Sequence, residues 1–142
     1  MEIMVKLINF GNVNSMIINP IEIEKPKLGI ITTKISSLNS LAYLPGKYTW
    51  IPIKLIIQDI DQIRNLVNQQ VQKQTDAFSD NLPHTKEFKF NILITTTENK
   101  EFMELCSIEQ CFIQNIEYED SDQPKIIMTI AYNNAIIKGE FD

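Results

Sequence analysis

The chain is poor in the residues from which enzymes build active sites. It has 142 residues, but only one histidine and two cysteines. His84 lies between Pro83 and Thr85, and no nucleophile, base and orienting group can be assembled around it. Cys106 and Cys111 have the wrong spacing for a zinc knuckle or a redox pair, and no second Cys or His pair completes four ligands. We therefore expect no catalytic residue, no metal and no cofactor.

Glycine, basic residues and long apolar runs are also scarce or absent. The four glycines lie far apart, which excludes a glycine-rich phosphate loop. The 13 basic residues against 18 acidic ones give a net charge of −5, which argues against tight binding of nucleic-acid phosphates. No apolar run reaches the roughly 20 residues of a membrane span, and the N-terminus lacks the pattern of a secretion signal. We expect a cytosolic product that does not contact a membrane.

Isoleucine supplies much of the apolar content, and it indicates a β-rich fold. A β-branched side chain fits a pleated, half-buried surface better than it fits a helix. A chain of this length buries enough surface to form one core without disulfides or metals. We therefore predict one α+β domain, mainly antiparallel β, over residues 1–142. Within it, residues 1–15 are expected to form an N-terminal arm or an edge strand.

Alternating apolar and polar residues mark the strands. Residues 47–58 place Thr49, Ile51, Ile53, Leu55 and Ile57 on one face, which we expect to be buried. Turn signals at residues 98–100 and 120–124 predict two hairpins. Further strands are predicted at residues 16–24, 29–35, 87–97, 101–107, 111–119 and 125–137.

One amphipathic helix is predicted at about residues 59–74, where the apolar period changes from two to about 3.6. Asp59 followed by Gln62 suggests a capping box at its start. The polar segment 75–85 is expected to be a surface loop. The residues expected to face the core are Ile60, Ile63, Val67 and Val71.

A projecting loop is predicted at residues 36–46, which show no clean period and end in the turn signal Pro45-Gly46. Apolar side chains in a loop are costly unless something covers them. Burial within the chain and contact with a partner both remain open for this loop. The side chains concerned are Leu38, Leu41, Tyr43 and Leu44.

A family resemblance enters at residues 45–55, which read PGKYTWIPIKL. This segment resembles the tail tube proteins of contractile-tailed phages and of related secretion and contractile injection machines. In that family a loop ends in a glycine turn, a Thr-aromatic strand follows, and an Asp-led helix comes next, here from Asp59. The likeness runs from about residue 21 to residue 134. It departs from the family at Phe112-Ile113, where Trp-Pro or Phe-Pro is typical, and at Asn133, where Asp is typical.

The resemblance implies a tail-tube-like β-sandwich or half-barrel and a structural role in a virion tail assembled in the host cytoplasm. It implies stacked hexameric rings around a channel for DNA ejection, with tail sheath and baseplate proteins as partners. The predicted loop at residues 36–46 would then contact the next ring. The departures leave a baseplate tube initiator, a tail terminator or an adaptor of the same virion as alternatives. A monomeric β-rich adaptor or chaperone is an alternative of a different class.

The implied ring can be checked for size. If each of six copies gives about four strands to a shared barrel, ~24 strands at a tilt near 40° have a backbone diameter of about 50 Å. About 40 Å remains between the side chains, and duplex DNA of about 20 Å would pass. The acidic surplus would either repel the DNA or simply aid solubility, and the sequence leaves both open.

Overall fold

The structure is a computed structural model that describes residues 2–37, 40–79 and 88–139. For residues 31–47 it describes the backbone and not the side chains. The described residues form ten strands and one helix. The helix, α1, spans Asp61–Ser79 and follows β6 and precedes β7 along the chain. The strands are β1 Glu2–Phe10, β2 Val13–Ile18, β3 Glu22–Ile23, β4 Lys27–Ser37, β5 Ser40–Ile51, β6 Ile53–Gln58, β7 Phe90–Glu98, β8 Glu101–Glu119, β9 Lys125–Ala131 and β10 Asn134–Gly139.

Most of the strands form one antiparallel sheet in the order β2-β1-β7-β8-β9-β6-β3, and β10 pairs with β8 beside this path. The 19-residue β8 belongs to two halves of the sheet. We call β2, β1, β7, the first part of β8 and β10 the broad half, and the rest of β8 with β9, β6 and β3 the narrow half. The sheet does not close into a barrel, since β2 and β3 do not pair. This confirms the mainly antiparallel fold with one helix that the sequence predicts.

The two halves of the sheet pack against one shared core. The predicted burial of β6 is confirmed at Ile53, Leu55 and Ile57, but the preceding Ile51 is exposed. Pro52 separates β5 from β6, which explains why the pattern of burial changes there. From the broad half the core takes Val5, Leu7, Ile92, Ile94 and Ile108, and from the narrow half Ile113, Ile126, Met128 and Ile130.

The N-terminal strand β1 is an interior strand and not the arm or edge strand expected from the sequence. It pairs with β2 on one side and β7 on the other. Asn9 adopts a left-handed φ of 61°, which breaks the alternation and turns the next residue, Phe10, into the core. The Phe10 ring meets the Phe90 ring edge-on, with 4.9 Å between centroids. Residues 2–10 are therefore part of the core structure.

The sequence predicts two strands, at residues 101–107 and 111–119, whereas the structure has one continuous strand, β8. Gln110 has a φ of 56°, and its N–H donates to Asn91 Oδ1 at 3.0 Å, so the strand continues through a bulge. An odd offset within a regular strand would put Cys106 and Cys111 on opposite faces. The bulge shifts the alternation by one residue, and both cysteines are buried.

The predicted loop at residues 36–46 is instead part of a β-hairpin. Strands β4 and β5 pair from Lys27 with Ile51 as far as Ser37 with Ser40. Pairing satisfies the backbone N–H and C=O groups that a long loop would leave to water, which explains the extended form. Leu38 lies outside the described residues. Leu41, Tyr43 and Leu44 lie on β5, but their side chains are outside the described part, so their contact with a next ring stays a prediction.

Helix α1 is longer than predicted and presents a different face to the sheet. It begins at Asp61 and ends at Ser79, with the Phe78 ring 5.5 Å from Phe88. Of the four expected core residues, Val67 is buried and Ile63 is half-buried. The expectation is wrong for Ile60 and Val71, which are 45% and 36% exposed. The buried face of the helix also includes Leu66, Gln70 and Gln74, so it is rotated relative to the predicted face.

Two buried glutamine amides fasten this face to the sheet. Gln70 Oε1 accepts from Gly11 N–H at 2.9 Å, and Gln70 Nε2 donates to the Phe88 carbonyl at 2.6 Å and to Gln74 Oε1 at 3.2 Å. Gln74 both accepts from Ile113 N–H and donates to Ile113 C=O, each at 2.9 Å. A neighbouring strand would satisfy Ile113 in the same way. The helix therefore covers the edge of β8 where β7 has ended.

The turn between β1 and β2 allows the helix to approach this closely. Gly11 has a φ of 59°, and a Cβ added there would lie 2.9 Å from the Leu66 carbonyl oxygen. Both the backbone conformation and the space require glycine at this position. The contact between α1 and the end of β1 therefore depends on the absence of a side chain.

We predict that Gln70→Ala and Gln74→Ala each lower the free energy of unfolding by about 2–3 kcal/mol, because each leaves buried backbone groups without a partner. Gln72 is the matched control, since its exposed side chain donates to Asp76 Oδ1 on the same helix. Gln72→Ala should change stability by less than about 0.5 kcal/mol. Urea unfolding measures all three. Equal midpoints for the three variants would contradict the role given to the buried amides.

Candidate assembly surfaces

The two outer strands of the broad half have unpaired edges. Strand β2 pairs only with β1, and β10 pairs only with β8, among the residues that the structure describes. Each outer edge therefore presents backbone N–H and C=O groups to solvent. Such an edge is a template for pairing with another strand. These edges are the first candidate surface for association between chains.

Exposed isoleucines accompany both edges. Ile17 on β2 is 60% exposed. Ile136 and Ile137 on β10 are 42% and 50% exposed, although adjacent residues of a strand point to opposite faces. Strand β10 thus has an open edge and an exposed isoleucine on each face. An apolar strand exposed in this way indicates a surface that another molecule covers.

The two edges are linked by one row of cross-strand neighbours on the outer face of the broad half. The row begins at the exposed Ile17 on β2 and ends at the exposed Ile136 on β10. Because each partner lies opposite the next, these two isoleucines sit at the same level of the sheet. The full row is Ile17, Lys6, Leu93, Ser107 and Ile136.

The outer face of the broad half is close to neutral. In this row and the two rows beside it the charged side chains are Lys6, Lys138 and Glu109. The acidic surplus lies elsewhere, at the exposed end of β8 and the turn after it, in Glu117, Glu119, Asp120 and Asp122. The sequence left open whether the negative charge repels DNA or aids solubility. Its placement away from this face favours solubility.

The acidic end of the molecule contains one ordered ion pair. Arg64 on α1 donates from Nε to Asp59 Oδ1 at 2.9 Å and from its terminal nitrogen to Oδ2. These hydrogen bonds lower the pKa of the Asp59 carboxyl. The guanidinium also lies over the Tyr118 ring, 4.9 Å from its centroid. Asp59 therefore binds Arg64 and does not form the capping box predicted with Gln62.

A second candidate surface is the β4–β5 hairpin, which pairs with no strand of the main sheet in the described part of the chain. At its base the Tyr132 hydroxyl accepts from Lys27 N–H at 3.2 Å and donates to the Ile51 carbonyl at 2.7 Å. The Trp50 ring lies 5.7 Å from the Tyr132 ring. Burial raises the pKa of Tyr132, so its phenol remains a hydrogen-bond donor.

The described residues include no group of three or more His, Cys, Asp and Glu side chains that could hold a metal ion. Within the same residues no helix is long and apolar enough to cross a membrane. His84 lies outside the described part. Cys106 and Cys111 are buried, and burial raises the pKa of both thiols.

Sequence reasoning missed three side chains that hold these surfaces in place. Gln70 and Gln74 read as polar helix positions, and nothing in the local pattern indicates that their amides are buried. Tyr132 carries a weak signal, since Tyr132-Asn133 interrupts the long alternation from residue 125 to residue 137. That interruption marks the break between β9 and β10.

Comparison with known proteins identifies the architecture. No protein-family model matches the sequence, and no curated protein matches it. Solved structures do match over nearly the full length of the chain. A chain of the anti-feeding prophage baseplate is 11% identical, covers 97% of this chain and 93% of its own length, and has a TM-score of 0.64. A chain of the sheath/tube terminator of the PVC extracellular contractile injection system is 12% identical, with coverage of 97% and 94% and a TM-score of 0.62.

A third match is Hcp1 of E. coli EAEC 042, in a mutant form, with 8% identity, coverage of 99% and 100% and a TM-score of 0.53. The chain has the tail-tube fold. This confirms the resemblance found at residues 45–55. At these sequence identities the similarity establishes the architecture alone.

We predict that both thiols of the native protein react at least about a hundredfold more slowly with a disulfide reagent at pH 8 than they do in urea, because they are buried and protonated. The measurement is the release of a chromophoric thiolate. Unfolded protein supplies the control, since both cysteines are then exposed. Fast reaction of either thiol in the native state would show that β8 opens near its bulge.

Proposed function

We propose that this chain is a structural subunit of a tail tube, which forms hexameric rings that stack around a central channel through which DNA passes during ejection. The observation that carries the proposal is the pair of unpaired edges, β2 and β10, at opposite sides of the broad half in a chain with the tail-tube fold. Pairing β10 of one copy with β2 of the next extends the sheet from chain to chain. The six-fold symmetrised baseplate among the matching structures supports six copies.

The directions of the edge strands support a ring over a two-fold dimer. Each neighbour in the broad half is antiparallel to the next, so β2 and β10, separated by three strands, run in the same direction. Rotation about a ring axis preserves that direction and brings the two edges together in parallel. A two-fold axis would instead place β2 against β2, or β10 against β10, in antiparallel pairs.

The size of such a ring fits a DNA conduit. The broad half has five strands, so six copies give ~30 strands and a backbone diameter of about 60 Å at a tilt near 40°. About 50 Å remains between the side chains. The near-neutral outer face then lines the channel and neither attracts nor strongly repels duplex DNA. The remaining exposed surface, including the acidic turn after β8, is available to sheath and baseplate proteins.

A specialised ring of the same particle is the second candidate. Structures of a baseplate and of a sheath/tube terminator are among the matches, and so is a sheath-tube complex of the PVC system. The departures from the family pattern at Phe112-Ile113 and Asn133 support a tube initiator, a terminator or an adaptor that occurs once per particle. Electron microscopy of the purified protein separates the two: a repeated subunit forms long tubes, and a specialised ring stops at one or two layers.

We predict that the double variant Ile17→Cys, Ile136→Cys forms a disulfide-linked ladder of up to about six chains under oxidising conditions, because each copy then presents one new thiol at each edge. Non-reducing electrophoresis measures the ladder, and reduction should collapse it to monomers. A second pair, Ser15→Cys with Ile136→Cys, allows for a two-residue stagger on the same face.

The single variants are the controls for this experiment. Ile17→Cys alone and Ile136→Cys alone should remain mostly monomeric, because in a ring each thiol faces a strand without one. Efficient dimers from either single variant would indicate two-fold pairing and contradict the ring. Monomers from every variant, with no rings by microscopy, would favour the monomeric adaptor or chaperone.

A further inference from the structure

The β4–β5 hairpin leaves the half-barrel at a pair of prolines. Strand β3 pairs with β6 in the narrow half, and β4 pairs with β5 beyond it, beginning with Lys27 opposite Ile51. Continuing either register places Pro26 opposite Pro52. Neither proline has an N–H, so no backbone hydrogen bond is donated by either residue at this level. The connection between the hairpin and the main sheet is weakest here.

The Tyr132 hydroxyl lies at this break. It accepts from the N–H of Lys27 on β4 and donates to the C=O of Ile51 on β5, and these two residues are partners across the hairpin. Tyr132 itself follows β9, a strand of the main sheet. One hydroxyl therefore connects both strands of the hairpin to the main sheet.

The Tyr132 side chain is buried and belongs to the core cluster, which fixes the position of its hydroxyl. The ring of Trp50, on β5 of the hairpin, packs against it, and Tyr132→Phe leaves this second contact in place. Two ion pairs with well-exposed lysines also lie at the base, Lys27 with Glu24 and Lys25 with Glu104. Exposed ion pairs contribute little to stability. The buried phenol is therefore the firmest polar connection at the base.

We propose that Tyr132 is a positioning residue whose hydroxyl sets the angle at which the hairpin leaves the half-barrel, so that the hairpin is held ready to contact a second copy in the next ring. The contact with the next ring rests on the proposed function, whereas the fixed angle does not. If Tyr132 were only a core side chain with a satisfied hydroxyl, removing the hydroxyl would leave the hairpin where it is.

Tyr132→Phe tests the proposal, because it keeps the ring and removes the hydroxyl. Tyr118→Phe is the matched control, since Tyr118 is an exposed tyrosine on β8 whose ring contact with Arg64 a phenylalanine retains. Hydrogen exchange of the Lys27 amide should be about tenfold faster in Tyr132→Phe and unchanged in Tyr118→Phe. Wild-type protein provides a check that needs no variant: a Lys27 amide that exchanges as fast as an unpaired amide would overturn the proposal.

The angle itself is measured with spin labels on Ser37→Cys, at the far end of β4, and Asn68→Cys, on the exposed side of α1. The two native cysteines are buried and stay unlabelled. The distance distribution should be single and narrow in wild type and in Tyr118→Phe, and about twice as wide in Tyr132→Phe. Equal widths in all three proteins would overturn the proposal.

Assembly separates this proposal from the proposed function. Wild type and Tyr118→Phe should stack rings equally, and Tyr132→Phe should form rings but about tenfold fewer multi-ring tubes by electron microscopy. If wild type forms no rings, the proposed function fails, while hydrogen exchange and the distance measurement still test the angle. If Tyr132→Phe widens the distribution but stacks as well as wild type, the link between hairpin angle and stacking is overturned.

Discussion

The structure depends on two buried glutamine amides, because they fix the helix against the turn after β1 and against the edge of β8 that β7 leaves uncovered. Gln70 joins α1 to the turn after β1 and to Phe88, and Gln74 joins it to β8. A buried amide without partners costs more free energy than a paired one contributes, and the hydrogen bond between Gln70 and Gln74 couples the two contacts. Since the helix covers β8 at Ile113, the long uncovered edges of the broad half are those of β2 and β10.

The features that the sequence predicts are those with a regular local period. The helix, the turn at Asn99-Lys100 and the buried face of β6 each follow from a few adjacent residues. In the β7–β8 turn, for example, both Asn99 and Lys100 have positive φ, as a two-residue hairpin of this type requires. The tail-tube architecture is anticipated differently, through the resemblance of residues 45–55 and the order of the following elements to a known family.

The features that the sequence does not predict depend on contacts between distant segments. Gln74 is buried because Ile113, 39 residues later, supplies a backbone N–H and C=O. The left-handed residues Asn9 and Gln110 each reverse the alternation of a strand, and an alternation rule carried across them assigns every later side chain to the wrong face. The two hydrogen bonds of the Tyr132 hydroxyl likewise depend on β4 and β5, which lie far away in the sequence.

The odd number of alternating strands in the broad half has a consequence for any ring closed through β2 and β10. Because every copy enters such a ring with the same orientation, the upper and lower rims carry different residues. When such rings stack head to tail, the stack has a polarity and its two ends are chemically distinct. The surface that starts the stack then differs from the surface that ends it, and each end calls for a partner of its own.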